Sequence, residues 1–409
     1  MSSLGFVTGI APRDRTLVVI FLRGGADGLT LVAPVADDAY HRARPTLRVS
    51  ERDGLRLDDV FALHPRLAPL VPLWASGELA IIHSVGSEDA TRSHFEAQDL
   101  MEHAGTAAGG WLGRFLRLRA IAQPGALSAV AFGTELPAAL RGAPSATVLR
   151  SLSTFSLGDG AHGMIRALAD LYAIEHNALG DSARDTVNAL QRLERLASAP
   201  PPLTAADYPR DDFGEALRQT AQLVRAGVGL EAATIDLGGW DSHFTQQQLL
   251  EPAMDRLARG LAAFHRDLGP DIARTAVVVM TEFGRRVAEN SALGTDHGRG
   301  SVMFALGGGV RGGRVLGGWP GLGPDALEGP GDLRVRTNYR NVLAPVLSTM
   351  GERSIVARAF PGFALEPVPL LEWVGTRDWG LGEEPSTTTQ ASAALTASRP
   401  IPQTPPRYG

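Results

Sequence analysis

Short runs of unbroken apolar residues set the limits on what this chain can become. Leu17–Leu22 (LVVIFL), Leu79–Ile82 (LAII), Ala276–Met280 (AVVVM) and Val302–Leu306 (VMFAL) carry no polar residue, and Ala232–Leu237 (AATIDL) is nearly as apolar. A strand with one wet face alternates apolar and polar residues. A run without alternation reads as a strand covered on both faces. Between the runs lie stretches with helical spacing: Leu67, Leu70, Val71 and Trp74; residues 111–121; Phe213, Leu217, Thr220 and Val224; then Leu250, Met254, Leu257, Leu261 and Phe264. Strands alternating with amphipathic helices predict an α/β fold around a mostly parallel sheet.

The 409 residues suffice for one large α/β domain, read here as 1–382. Within it, about 136–211 is rich in Ala, Leu and Arg and is expected to be a helical insertion; 383–409, rich in Ser, Thr and Pro, is expected to be a disordered tail. A formal net charge of -5 without a basic run gives no electrostatic case for nucleic acid or an anionic membrane. No apolar stretch reaches the ~18–20 residues of a membrane span. With no cysteine, the chain has neither disulfides nor thiolate metal sites nor a cysteine nucleophile. The start, MSSLGFVTGIAPRD, lacks a basic leader; alone it reads as cytoplasmic, or as the remainder of a longer signal.

Residues fit for chemistry follow the apolar runs. Asp27 follows Gly24-Gly25 after the first, where it serves either a site or the cap of the next turn. Thr91-Arg92-Ser93-His94 opens a helix beyond the second. A serine there is an N-cap, or a hydroxyl activated by free N–H groups and the helix dipole, with Arg92 and His94 suited to anion chemistry. Gly238-Gly239-Trp240-Asp241-Ser242-His243 follows the run at 232–237; carboxylate plus imidazole suits zinc, manganese or iron. The run at 276–280 spills into Glu282, Phe283, Arg285 and Arg286, and then Asp296, His297 and Arg299. In open α/β sheets, ligands bind beyond the carboxyl ends of strands. The GxSxG and HExxH patterns of other hydrolases are absent.

The motifs LVVIFLRGGADGL (17–29), RSHFEAQD (92–99), LGGWDSH (237–243), MTEFGR (280–285) and GTDHGRG (294–300) together resemble the DUF1501 family, within the alkaline phosphatase-like superfamily, over about residues 15–375. The resemblance implies a three-layer α/β/α sandwich, one or two divalent metal ions (zinc, manganese, calcium or magnesium) and a phosphate or sulfate ester, small or polymer-borne, as substrate. It also implies export by a twin-arginine route. Residue by residue, Asp27, Asp241, His243, Glu282, Asp296 and His297 resemble metal ligands, and Ser93 the nucleophile, with Arg92 and His94 beside it. Arg285 and Arg299 are expected to hold substrate oxygens.

The implied reaction is metal-assisted displacement through a covalent phospho- or sulfo-serine. Phe283 stands where the superfamily carries a histidine next to a strand-end carboxylate. That departure opens a second reading, a noncatalytic anion- or ligand-binding protein of the same fold with an incomplete metal site.

Overall fold

Each of the apolar runs becomes a strand of one nine-stranded sheet. In the computed structural model, which describes residues 14–119, 124–152 and 207–371 with scattered positions between 163 and 191, these are β1 (Thr16–Leu22), β2 (Leu79–Gly86), β3 (Ala129–Phe132), β4 (Thr147–Leu149), β5 (Ala232–Leu237), β6 (Thr275–Thr281), β7 (Ser301–Gly307), β8 (Arg314–Leu316) and β9 (Thr337–Asn338). Their order is β8-β2-β7-β6-β1-β5-β3-β4, with β9 also on β2. Every pairing is parallel except the two made by β7. No crossover helix lies between β6 and β7. The chain re-enters the sheet from the edge it left, so the returning strand runs antiparallel.

The helices that matter for the site are α1 (Gly28–Leu31), α2 (His94–His103), α3 (Trp111–Arg119), α4 (Asp212–Arg225), α5 (Gln246–Leu268) and α6 (Tyr339–Ser348). Along β1 the side chains alternate between faces. Val18, Ile20 and Leu22 join a core with Leu217 of α4 and Leu250, Met254, Leu257, Leu261 and Phe264 of α5. Leu17, Val19 and Phe21 are buried on the other face, where α6 packs against β2. This is the three-layer α/β/α sandwich with a mostly parallel sheet. At ~1.5–3 kcal/mol for each fully buried aliphatic side chain, such two-sided burial is the main stabilising term.

One expectation shifts. Within the presumed insertion, Thr147–Leu149 is an edge strand of the sheet; most of the rest, residues 153–206, and the expected tail at 383–409 lie outside the described residues. The glycine-rich segment after β7 leads into β8, which pairs in parallel with β2. Among the described residues no helix is long and apolar enough to cross a membrane.

Register puts the site at one edge. Leu22 lies beside both Leu237 and Thr281, so β1, β5 and β6 end together. Ser301 of β7 lies opposite Val85 of β2, bringing the turn before β7 to the carboxyl end of β2. The loops 23–28, 87–94, 238–245 and 282–300 therefore meet.

Candidate metal centre

Glycines let these loops touch. Gly24 has φ +119°, and a Cβ there would stand 2.5 Å from the backbone nitrogen of Asp241. Gly294 packs against His243, whose carbonyl carbon would lie 2.2 Å from an added Cβ. Trp240, fully buried, anchors the 238–243 loop. The 282–300 loop folds on itself: Gly298 donates to Gly284 O at 2.8 Å and Arg286 to Asp296 O at 2.9 Å. This sets Arg285 opposite His297 in an antiparallel bridge, with the two side chains on one side of the ribbon.

His94, Asp241 and His297 meet at the centre, each offering one ligand atom, all within 4.8 Å of one another. The Nδ1 of His94 donates to Glu282 Oε1 at 2.8 Å, and that of His297 to Arg92 O at 2.7 Å. Each hydrogen bond turns Nε2 inward, bare in His94 and facing His243 Nε2 in His297. His94 Nε2 lies 3.5 Å from Asp241 Oδ2, and His297 Nε2 lies 3.5 Å from Asp241 Oδ1. His94 Nε2 is buried without a hydrogen-bond partner. An imidazole held through Nδ1 with Nε2 turned toward a carboxylate, as in both residues, is the arrangement that metal-binding histidines adopt. The donor set is nitrogen and oxygen, which fits zinc, manganese or iron better than calcium or magnesium.

His243 borders this group. Its Nε2 lies 2.9 Å from His297 Nε2 and 3.1 Å from Asp241 Oδ1, and its Nδ1 faces Asp296 Oδ1 at 3.6 Å. Asp296 thus stands behind His243, with Arg286 and Asn290 beside it. The mouth opens on this side: the side chains of Asp241 and His243 are 51% and 41% exposed, against 22% for His94 and 19% for His297.

Charge is shared unevenly. For Glu282 burial favours the neutral acid, but hydrogen bonds from His94, Gln98 and Gly24 hold its pKa down at about 2. The Glu282 hydrogen bond in turn raises His94 above the ordinary imidazole value, with burial opposing it. Burial and the Arg285 charge lower His297. Asp241 is opposed by burial yet lowered by the hydrogen bond and charge of Arg285.

Several expected roles move. Asp27 is fully buried and joins no cluster: Arg44 grips both its oxygens at 2.5 and 3.1 Å, Thr30 and Gln246 donate to it, and it caps α1. A carboxylate so saturated has no lone pair for an ion. Glu282 turns toward His94, Gln98 and Gly24 rather than inward. Arg285, expected to hold substrate, points its donors at the protein itself. It is fully buried and donates to the carbonyls of Gly24, Gly25, Trp240 and Thr295 and to Asp241. Arg299 donates to Ser87 O and faces Glu328. Ser93 caps α2, its Oγ accepting from the Glu96 nitrogen at 3.5 Å, and leads directly into His94. His94, expected beside the nucleophile, lies in the group with Asp241 and His297, while the Arg92 carbonyl accepts from His297 Nδ1. Phe283 packs against both imidazoles, its ring 4.8 Å from His94 and 4.9 Å from His297. Arg44 and Gln98 escaped the sequence reading: Arg44 lies in a polar stretch without periodicity, and Gln98, although within RSHFEAQD, sits in the helix body, where a glutamine gives no sign of a distant partner.

The fold and site define an α/β protein with a histidine–aspartate centre at the carboxyl edge of its sheet. The chain belongs to the family described as "Protein of unknown function (DUF1501)", which it matches over residues 74–352. No curated protein matches it in sequence. Among solved structures it is similar to alkaline phosphatase from the Antarctic bacterium TAB5, with 9% identity, 73% of this chain and 93% of that one covered, and a TM-score of 0.31. It is also similar to BT1596, a 2-O GAG sulfatase, with 11% identity, 86% and 71% covered, and a TM-score of 0.29. At these scores neither likeness assigns a reaction.

Proposed function

We propose that the protein is a metal-dependent hydrolase or transferase of phosphate or sulfate esters. The observation that carries this reading is the orphaned, buried Nε2 of His94, aimed at Asp241 and locked by Glu282. His94, Asp241 and His297 would hold one divalent ion, with His243 at its rim. When bound, the ion would supply a Lewis acid that polarises an ester oxygen. Arg285 offsets the charge of Asp241, so the charge of a bound ion would remain available to an anionic ester.

Ser93 is the nucleophile in this reading. It sits at the positive end of a ten-residue helix, which favours the ionised hydroxyl. Its Oγ forms a bond to phosphorus or sulfur as the ester oxygen leaves, and the serine proton ends on the departing alcohol. Water then releases the phospho- or sulfo-serine. Arg92 and Arg286, each about a third exposed and paired with Asp332 and Asp296, are the partly exposed arginines beside the centre that could turn to an anion.

The test pairs metal analysis of protein purified without chelators with a panel of phosphatase and sulfatase substrates. Expected are one bound divalent ion, its loss in Asp241→Ala, and retained metal without turnover in Ser93→Ala. Full activity in Ser93→Ala removes the nucleophile. Absence of any bound ion under metal-replete conditions favours the second reading, a noncatalytic ligand-binding protein, which Phe283 wedged against both imidazoles supports.

A further inference from the structure

Five large apolar side chains are exposed among the described residues, and four of them, Phe95, Phe244, Leu249 and Leu293, lie next to His94 or His243 in the chain or on segments beside Phe244. Phe95 follows His94, and Phe244 follows His243. Thr245 donates to Ala292 O at 3.0 Å and Gln246 to Leu293 O at 2.8 Å, so the segments bearing Phe244 and Leu293 lie side by side. Leu249, in the first turn of α5, follows them. Phe244 is 59% and Leu293 49% exposed, on the side where the centre itself is open.

The backbone here is held against its preference. Thr245 has φ +41° and Leu293 φ +59°, a region that bulky L-residues rarely adopt. Strain of this kind persists where surrounding structure over-determines it and gathers at ligand-binding sites. Leu293 gains no compensating burial in the free protein. A glycine or asparagine would meet the backbone requirement more easily, so the leucine side chain itself needs a reason.

We propose that Phe244, Leu249 and Leu293 form an apolar lip that takes the non-reacting part of the substrate, which is therefore an ester of a long alkyl or aryl alcohol. This rests on the hydrolase reading above and narrows it. The exposed area of the three side chains is on the order of 300 Å², taking large side chains at 150–250 Å² each. That falls short of the roughly 800 Å² per partner of a stable protein interface, yet matches one hydrocarbon chain. The net charge of -5 opposes an anionic membrane as the occupant.

The test is calorimetric binding of straight-chain alkyl phosphates and alkyl sulfates, four to ten carbons long and below their micellar concentrations, to metal-loaded protein. Affinity is expected to rise about threefold to fourfold for each methylene that reaches the lip, and Phe244→Ser/Leu293→Asn is expected to flatten that dependence. Near-ultraviolet circular dichroism checks that the variant is folded, and each single substitution is expected to reduce the slope if the pair does not fold. Affinity independent of chain length in the wild type overturns the lip. So does a wild-type self-association that the double variant abolishes, which would assign the patch to a second copy. Chain-length-dependent binding without turnover of any ester retains the lip and removes the hydrolase reading, so the two can fail separately.

Discussion

Glu282 Oε1 and His94 Nδ1 lie 2.8 Å apart although 188 positions separate them in the chain. The strand end of β6 thus regains the carboxylate–histidine pair that Phe283 denies it locally, with the imidazole delivered by α2. Glu282 acts through His94: it fixes the tautomer and strengthens Nε2 as a donor. Glu282→Gln is expected to leave the fold intact and to weaken zinc or manganese binding by about 10–100-fold, the usual effect of losing such a partner. Calorimetric titration of the apo protein checks this; unchanged affinity would show that the pair does not position the ligand.

Arg285 joins its own loop to two others that the sequence keeps far apart. Its guanidinium donates to the carbonyls of Gly24, Gly25, Trp240 and Thr295 and holds Asp241 at 2.7 Å. A lysine keeps the charge but cannot reproduce the planar fork. Arg285→Lys leaves several buried carbonyls unpaired and is expected to cost about 2–4 kcal/mol, with metal binding lost as Asp241 swings free. Urea denaturation gives the first quantity and metal content the second. A variant that keeps both wild-type stability and its ion would remove Arg285 from the centre.

Much of this architecture is legible in the sequence because its causes are local. LVVIFL and AVVVM leave no face for water, so a sheet covered on both sides follows, and residues after such runs gather at one edge. Asp241, His243 and His297 could be placed there on that ground. What the sequence hides depends on register and long-range pairing. Asp27 looks like a ligand until Arg44 arrives from a polar stretch without periodicity. His94 looks like a nucleophile's neighbour until β2 places α2 over Glu282. Arg285 and Arg299 look like substrate clamps because a sequence shows charge but not which carbonyls consume it.

The Asp27–Arg44 pair separates the two accounts of Asp27 directly. Were it a metal ligand, Asp27→Asn would lower metal content. The geometry instead makes it half of a buried ion pair, and removing one partner strands the other charge at a cost of about 3–5 kcal/mol. Asp27→Asn is expected to lower the urea midpoint sharply while the folded protein still binds the same number of ions. A loss of one ion per chain without loss of stability would restore the metal role.

His83 offers a pH test away from the centre. It is buried between Phe61 and Trp319. Its Nε2 donates to Val32 O at 3.1 Å while its Nδ1 accepts from the Ser84 nitrogen at 2.8 Å. A second proton on Nδ1 would face that N–H, and burial lowers the pKa from the ordinary 6.5 to about 4. Between those values the unfolded chain binds the extra proton and the folded chain does not, so stability rises with pH. The contribution is complete above about 6.5 and lost progressively as the pH falls toward 4. Between pH 7 and pH 5 it amounts to about 2 kcal/mol. His297 and His64, also lowered, slope the same way, and His94, raised, slopes against them. The measurement is therefore the difference in urea-derived stability between wild type and His83→Gln at the two pH values. The glutamine keeps a donor for Val32 but cannot titrate, so the variant should lose less stability on acidification. Equal losses in both proteins would mean that His83 accepts its proton in the folded state.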